Sequence, residues 1–259
     1  MMRQMWPVPR TPSRGPHVAL ARPARAGDTK PCRVSLRGRM IRFIFAALVL
    51  LLPLTARAQT AQQSLVDRST LTVQDMFTGD HAGDALSLLR QSKGALICPR
   101  VFKAGFIIGG SGGGCVLVSR SRGGWSFPAF YTIGSGSFGL QAGVQDSQVV
   151  FMILTNRGLR AILDSQFKFG ADASIAVATV GAGVEGSTTA ALRADIVAFA
   201  KTRGLFAGIS LQGSIISSDS NWNRIYYGQP LAAQQIVLQG QGNNPGAQPL
   251  REMLLKFSG

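Results

Sequence analysis

Cations spaced closely with aromatic rings are the part of this sequence best suited to chemistry. Arg120 and Arg122 flank a turn just before Trp125 and Phe127, and Lys201 and Arg203 precede Gly204-Leu205-Phe206. Such clusters suit a membrane interface, where rings sit at headgroup depth and each nearby cation adds about 1 kcal/mol on anionic lipid. They suit equally a domain whose aromatics are core and whose cations only solvate turns. Sequence physics leaves both readings open.

Catalytic and cofactor chemistry has weaker footing. His81 is the one histidine beyond residue 58, and it sits at a helix break among polar residues. No Cys/His cluster, HExxH or GxSxG accompanies it, so it reads as a solvated loop histidine and no metal is expected. The acids are few and scattered, so paired carboxylates for acid–base work are hard to find. Gly134–Gly139 and Gly181–Gly186 each match GxGxxG after a strand-like run. A dinucleotide site needs a helix next and an acidic residue about 20 positions on. LQAGVQ after the first match is not helical, and no strand ending in an acid follows the second. No cofactor is expected.

Cys98 and Cys115 lie in the part of the chain that export would expose to oxidation. If the strands around them form a hairpin turning near Ser111, Cys115 faces about Ile108. Cys98 is then roughly 30 Å along the strand, whereas bridged α-carbons lie within about 7 Å. Two buried free thiols are expected.

The elements that must position these residues centre on Lys103–Gly143, which holds 12 of the chain's 31 glycines. Between them run FII, VLV and FYTI, which read as strands, with the glycine clusters as turns or bulges. Strand-length runs fall near 95–98, 101–108, 115–120, 125–133, 138–144 and 148–154, then at 172–180, 190–200, 205–217 and 223–227. Before them, apolar residues from Leu65 to Leu89 recur at spacings of three and four, which predicts two helices broken near Thr78-Gly79-Asp80. That segment carries more acid than base before Arg90, unlike a basic membrane-surface helix. Short helices are predicted over Asn156–Leu163 and Leu231–Leu238. A linker follows, then a weak helix over Arg251–Phe257.

The net charge of +15 is unevenly placed: residues 1–58 carry +10 and residues 59–259 only +5. A basic arm for nucleic acid is one reading of that front, and a targeting segment fits better. Residues 40–58 have a cationic start at Arg42, an apolar run Phe43–Leu54 too short for a bilayer that needs about 20 residues, and Ala56-Arg57-Ala58 before Gln59. This is the pattern of a secretory signal peptide cleaved after Ala58. Residues 1–39 are rich in Pro and Arg without apolar period, a disordered or misassigned extension ahead of an initiator at Met40. The expected organisation is therefore extension 1–39, signal 40–58, helices 59–94, β-rich core 95–239 and tail 240–259.

Taken in order, VFKAGFIIGGSGGGCVLVSR, GWSFPAF, GSFGLQAG, FKFGADASIAVATVGAG, KTRGLFAGISLQGS and YYGQPLAAQQIVL resemble the SYLF-domain family over about residues 65–238. The resemblance implies a lipid-binding domain, with actin binding in some eukaryotic members. Headgroup contacts are expected at Lys103, Arg120, Lys201 and Arg203, with Arg122 beside them, and insertion or packing at Trp125 and Phe206; of these, Lys103, Trp125, Lys201 and Phe206 fall on the family's motifs. The resemblance also makes 190–200 a strand rather than a nucleotide-site helix. The expected fold is α+β: a strongly bent, barrel-like, mostly antiparallel sheet with the N-terminal and short helices packed on it. The expected function is non-enzymatic binding of an anionic phospholipid or membrane surface by a periplasmic or secreted, peripherally membrane-associated protein. An envelope protein is the alternative partner. Neither nucleic acid nor actin is expected as a partner, the latter because export removes the chain from actin.

Overall fold

The computed structural model describes residues 55–78, 82–105, 108–121, 123–138, 143–164, 166–169, 171–179, 193–204 and 213–259. Helix α1 (Thr55–Phe77) buries Gln62, Val66, Ser69, Val73 and Met76 at spacings of three and four. One stripe of the helix therefore faces the sheet. The expected cleavage point after Ala58 falls in its first turn. Helix α2 (Gly83–Gln91) buries Ala85, Leu88 and Leu89, and the expected break separates the two helices.

The strands are β1 (Gly94–Gly105), β2 (Ile108–Ser121), β3 (Gly124–Trp125), β4 (Ala129–Phe138), β5 (Gly143–Ile153), β6 (Gln166–Lys168), β7 (Ile175–Thr179), β8 (Ile196–Gly204) and β9 (Ile215–Ser218). They form one sheet in the order β6-β9-β4-β2-β1-β5-β8-β7, with β3 attached to β2. Among the described strand pairs only β7–β8 is parallel. Phe169, directly after β6, stacks on Phe151 of β5 with ring centroids 5.0 Å apart. Five strand steps separate β6 from β5, about 24 Å in a flat sheet. The sheet must therefore curl, as the expected bent, barrel-like α+β fold requires.

Alternation along each strand divides the interior into two apolar layers. Leu96, Leu117, Val149, Phe151 and Ala198 face the concave side, covered by α3 (Asn156–Leu163) and α5 (Ala233–Val237). Ile97, Val116, Val150, Met152 and Phe199 face the other side, covered by α1, α2, α4 (Ser220–Tyr227) and α6 (Gln248–Ser258). Helix α3 spans the predicted residues. The predicted weak C-terminal helix is longer than expected, and its Leu250 and Leu254 are fully buried.

Three expectations are corrected. The 223–227 run is not a strand but lies in α4, where Asp219 accepts a hydrogen bond from the Trp222 amide and Gly228 ends the helix at φ 69°. Local caps override the β-preference of Ile225-Tyr226-Tyr227 because Trp222 and Tyr226 then both pack on Phe130. The glycine run 109–114 is strand rather than turn. A Cβ on Gly113 would lie 2.1 Å from the Arg100 carbonyl oxygen, so β1 can approach that closely only over a glycine.

The third correction concerns the cysteines, which form a Cys98–Cys115 disulfide with Cα atoms 4.2 Å apart. β1 runs to Gly105 and β2 begins at Ile108, so Ser111 lies within a strand and not at a turn. Ile97 pairs with Val116, so the next residue, Cys98, faces Cys115 across the ladder. Closing a segment of this length by a bond stabilises a fold by about 2–4 kcal/mol. Reductant, or a Cys98→Ala/Cys115→Ala variant, is expected to lower the thermal midpoint by roughly 4–15 °C. An unchanged midpoint in a protein whose thiols resist labelling until reduced would count against this bridge's role.

Candidate functional site

The cations and aromatics singled out in the sequence fall into different settings. Arg120 serves α2: its Nη2 donates to the Leu89 carbonyl at 3.0 Å and its Nε to the Ser92 carbonyl at 3.3 Å. A cation at a helix C-terminus satisfies carbonyls that the helix cannot. Its guanidinium lies 4.9 Å over the Trp125 ring, and burial pulls its pKa below the ordinary arginine value. Trp125 is 1% exposed and donates its indole N–H to Ser258 Oγ at 3.0 Å. Of the two roles expected of Trp125, its geometry is that of packing.

Lys103 and Lys201 face opposite sides of the sheet. Lys103 pairs with Ser111 and Gln145 in the ladders, on the concave side with Val101. Lys201 pairs with Gln148 on the α1 side and makes a 2.8 Å ion pair with Asp75. Arg203 stands opposite Asp146 in β8, which puts its backbone two residues beyond Lys201 on that side; its side chain is not among the described ones. Arg122 and Phe206 lie outside the described residues. The predicted set therefore does not form one cluster.

The structure brings together a different set on the α1 side, where β1, β2 and β5 run past the helix. Phe102 pairs with Gly112 and Asp146, and Ala104 with Gly110 and Val144. Phe102, Ile108 and Val144 consequently share one face, and are 40%, 69% and 55% exposed. Gly112, opposite Phe102, adds no side chain to cover this apolar surface. Arg68 of α1 and Arg100 of β1 stand beside it. Arg100 reaches Asp146 at 2.7 Å and lies 5.5 Å over the Phe102 ring. Arg68 has no acidic partner among the described residues. The exposed Arg100–Asp146 pair contributes only about 0–1 kcal/mol, so an external anion can displace Asp146 from Arg100 at little cost, and at Arg68 it meets no such competitor among the described residues.

Two cavities meet at this point. One of about 700 Å³ opens between α1 and the glycine run of β2. The other, about 250 Å³, opens toward Lys201. Arg68, Pro99 and Arg100 line both. Sequence reading missed Arg68, Arg100 and the exposed apolar residues because FII and VFK look like core strands. The available signal was Pro99, since proline inside a strand marks a bulge or an edge. The β1 register does shift between Ile97 and Phe102.

Residues 134–257 match the Ysc84 family, described as "Las17-binding protein actin regulator". Over 207 residues the chain is 28% identical to "Protein YSC84" of Saccharomyces cerevisiae, covering 78% of this chain and 44% of that protein. It is 30% identical over 173 residues to the human "SH3 domain-containing YSC84-like protein 1", covering 66% and 50%. The Xenopus laevis protein of the same name is 33% identical over 161 residues, covering 61% and 48%. The chain thus spans about half the length of these relatives. The family description names actin regulators, which overturns the expectation that actin has no place among the partners. These are names of binding and regulatory proteins, and with the fold and the ordered sequence blocks they support the chain's resemblance to the SYLF-domain (Ysc84) family.

Proposed function

We propose that the protein is an exported, non-enzymatic lipid-binding protein that docks on anionic membrane surfaces at the β1–β2 hairpin end. The observation that carries this reading is the set Phe102, Ile108 and Val144, exposed on one face of the sheet, with Arg68 and Arg100 beside Phe102 and Lys201 on the same side. Burying one such side chain is worth about 1.5–3 kcal/mol, and each cation near an anionic surface adds about 1 kcal/mol. Either contribution alone gives marginal attachment, whereas together they give stable but salt-sensitive binding. The signal-like segment 40–58 supports a periplasmic or secreted setting, and the disulfide is of a kind that persists in oxidising compartments.

The test is co-sedimentation of the protein with vesicles of graded anionic content at low and high salt. Binding is expected to rise with anionic lipid and fall with salt. A Phe102→Ser/Ile108→Ser variant is expected to bind at least about tenfold more weakly, given the two apolar side chains removed. Wild-type binding by this variant would move the site elsewhere. Failure to bind any vesicle would reject direct lipid binding and favour an envelope protein as partner.

A further inference from the structure

We infer that the cavity between α1 and β2 takes up a single phosphate-bearing amphiphile, with its chain inside and its phosphate held by Arg68 and Arg100. The inference rests on the lipid reading above and goes beyond it: docking needs only the outer surface, whereas this site withdraws one molecule into the protein. Ala61, Ser64, Leu65 and Arg68 recur at helical spacing and form the cavity's α1 wall. Three of these are small or apolar and the fourth is a cation at one end. The opposite wall is the bare backbone of Gly112, Gly113 and Gly114, and Phe102, Pro99 and Trp222 complete an apolar lining.

The space exists because the glycines supply no side chains. A Cβ on Gly114 would come within 3.1 Å of Leu65 Cδ2, which is where α1 rests on the sheet. Gly112, two residues along on the same face, has room for a side chain: the nearest atom to a Cβ there is the Ile133 carbonyl oxygen at 3.6 Å. The gap of about 700 Å³ is of the size that holds small ligands. Its lining is apolar with the polar groups gathered at Arg68 and Arg100, the distribution that an amphiphile requires. Arg68, with no acidic partner among the described residues, favours a phosphate, which it can grip with two parallel hydrogen bonds, and Arg100 joins it by exchanging its exposed pairing with Asp146.

The probe is monomeric lysophosphatidate, kept below its micelle concentration and titrated into the full chain by calorimetry, with native mass spectrometry for stoichiometry. Inorganic phosphate alone and vesicles form the parallel arms. One-to-one uptake of lysophosphatidate is expected, with no comparable uptake of phosphate. Gly112→Leu is expected to weaken uptake at least about tenfold by occupying the cavity, while vesicle binding, which rests also on Ile108 and Val144, falls less than it does in Phe102→Ser/Ile108→Ser. Arg68→Gln, at an exposed position, should weaken uptake by a similar factor and keeps the test open if Gly112→Leu misfolds. Vesicle binding without one-to-one uptake would overturn this inference and leave the docking reading standing. Wild-type uptake by both variants would also overturn it. Equal affinity for inorganic phosphate would reduce the site to a free-anion site and remove the chain from it. Loss of vesicle binding with uptake intact would instead reject the docking reading alone.

Discussion

Trp125→Ala is expected to cost about 3–5 kcal/mol and to release α6 from the body of the domain. Trp125 is at once a large buried ring and a tether. Its indole N–H bonds Ser258 near the chain end, its carbonyl accepts from Arg251 Nε at 2.7 Å, and its ring carries the Arg120 guanidinium. Removing the ring opens a cavity against α6 and takes away the platform under Arg120, which also holds the end of α2. A thermal midpoint lower by roughly 6–20 °C should be accompanied by early proteolysis within residues 248–258. Trp125→Phe keeps most of the packing and loses the indole hydrogen bond, at about 1 kcal/mol. Vesicle binding separates the two roles open to this residue: a packing residue leaves it unchanged in Trp125→Phe, whereas an inserting one loses much of it. A Trp125→Ala protein as stable as wild type would contradict the tether.

The outline of the fold was legible because it depends on local pattern. Apolar spacing located α1, α2 and α3, and β-branched runs located most strands. Two kinds of information were not local. The first was register: the disulfide was misjudged because a turn placed a few residues too late carries Cys98 away from Cys115. Glycines in 109–114 invited that error, since close strand approach and tight turns both demand glycine. The second was side-chain exposure. Trp125 beside two arginines looks like an interfacial residue in sequence, yet α6, more than 120 positions later, covers it. Phe102 and Ile108 look like core and are exposed because α1 ends its cover before the hairpin does. No periodicity reports where a distant helix stops.

Asp195→Ala is expected to be of similar weight, costing roughly 2–4 kcal/mol, because it leaves the Thr155 hydroxyl and the Ser174 hydroxyl and amide without the charged acceptor they share. Asp195 is 3% exposed just before β8 and joins three elements. Its carboxylate accepts from Thr155 Oγ1 at 2.6 Å, from Ser174 Oγ at 2.7 Å and from the Ser174 amide at 3.1 Å, and it is paired with Arg157. Thr155 also caps α3 by accepting from the Gly158 amide, so one carboxylate fixes the start of α3 and the approach to β7. Arg157 is 72% exposed along its side chain. Water screens its charge, and Arg157→Ala should cost no more than about 1 kcal/mol. The two substitutions together show whether the ion pair or the buried hydroxyl and amide donors carry the stability; equal losses would assign it to the pair. The pH dependence has a definite sign. Arg157 first, then the Thr155 and Ser174 donors, hold the folded carboxyl well below the usual carboxylate range, against opposition from burial. A depressed folded pKa gives stability that is full above the unfolded value of about 3.9 and is lost as pH falls below it. Wild type and Asp195→Asn should therefore differ most in midpoint above pH 5 and converge below about pH 4. A gap that persists undiminished into acid would mean that Asp195 acts by shape, not charge.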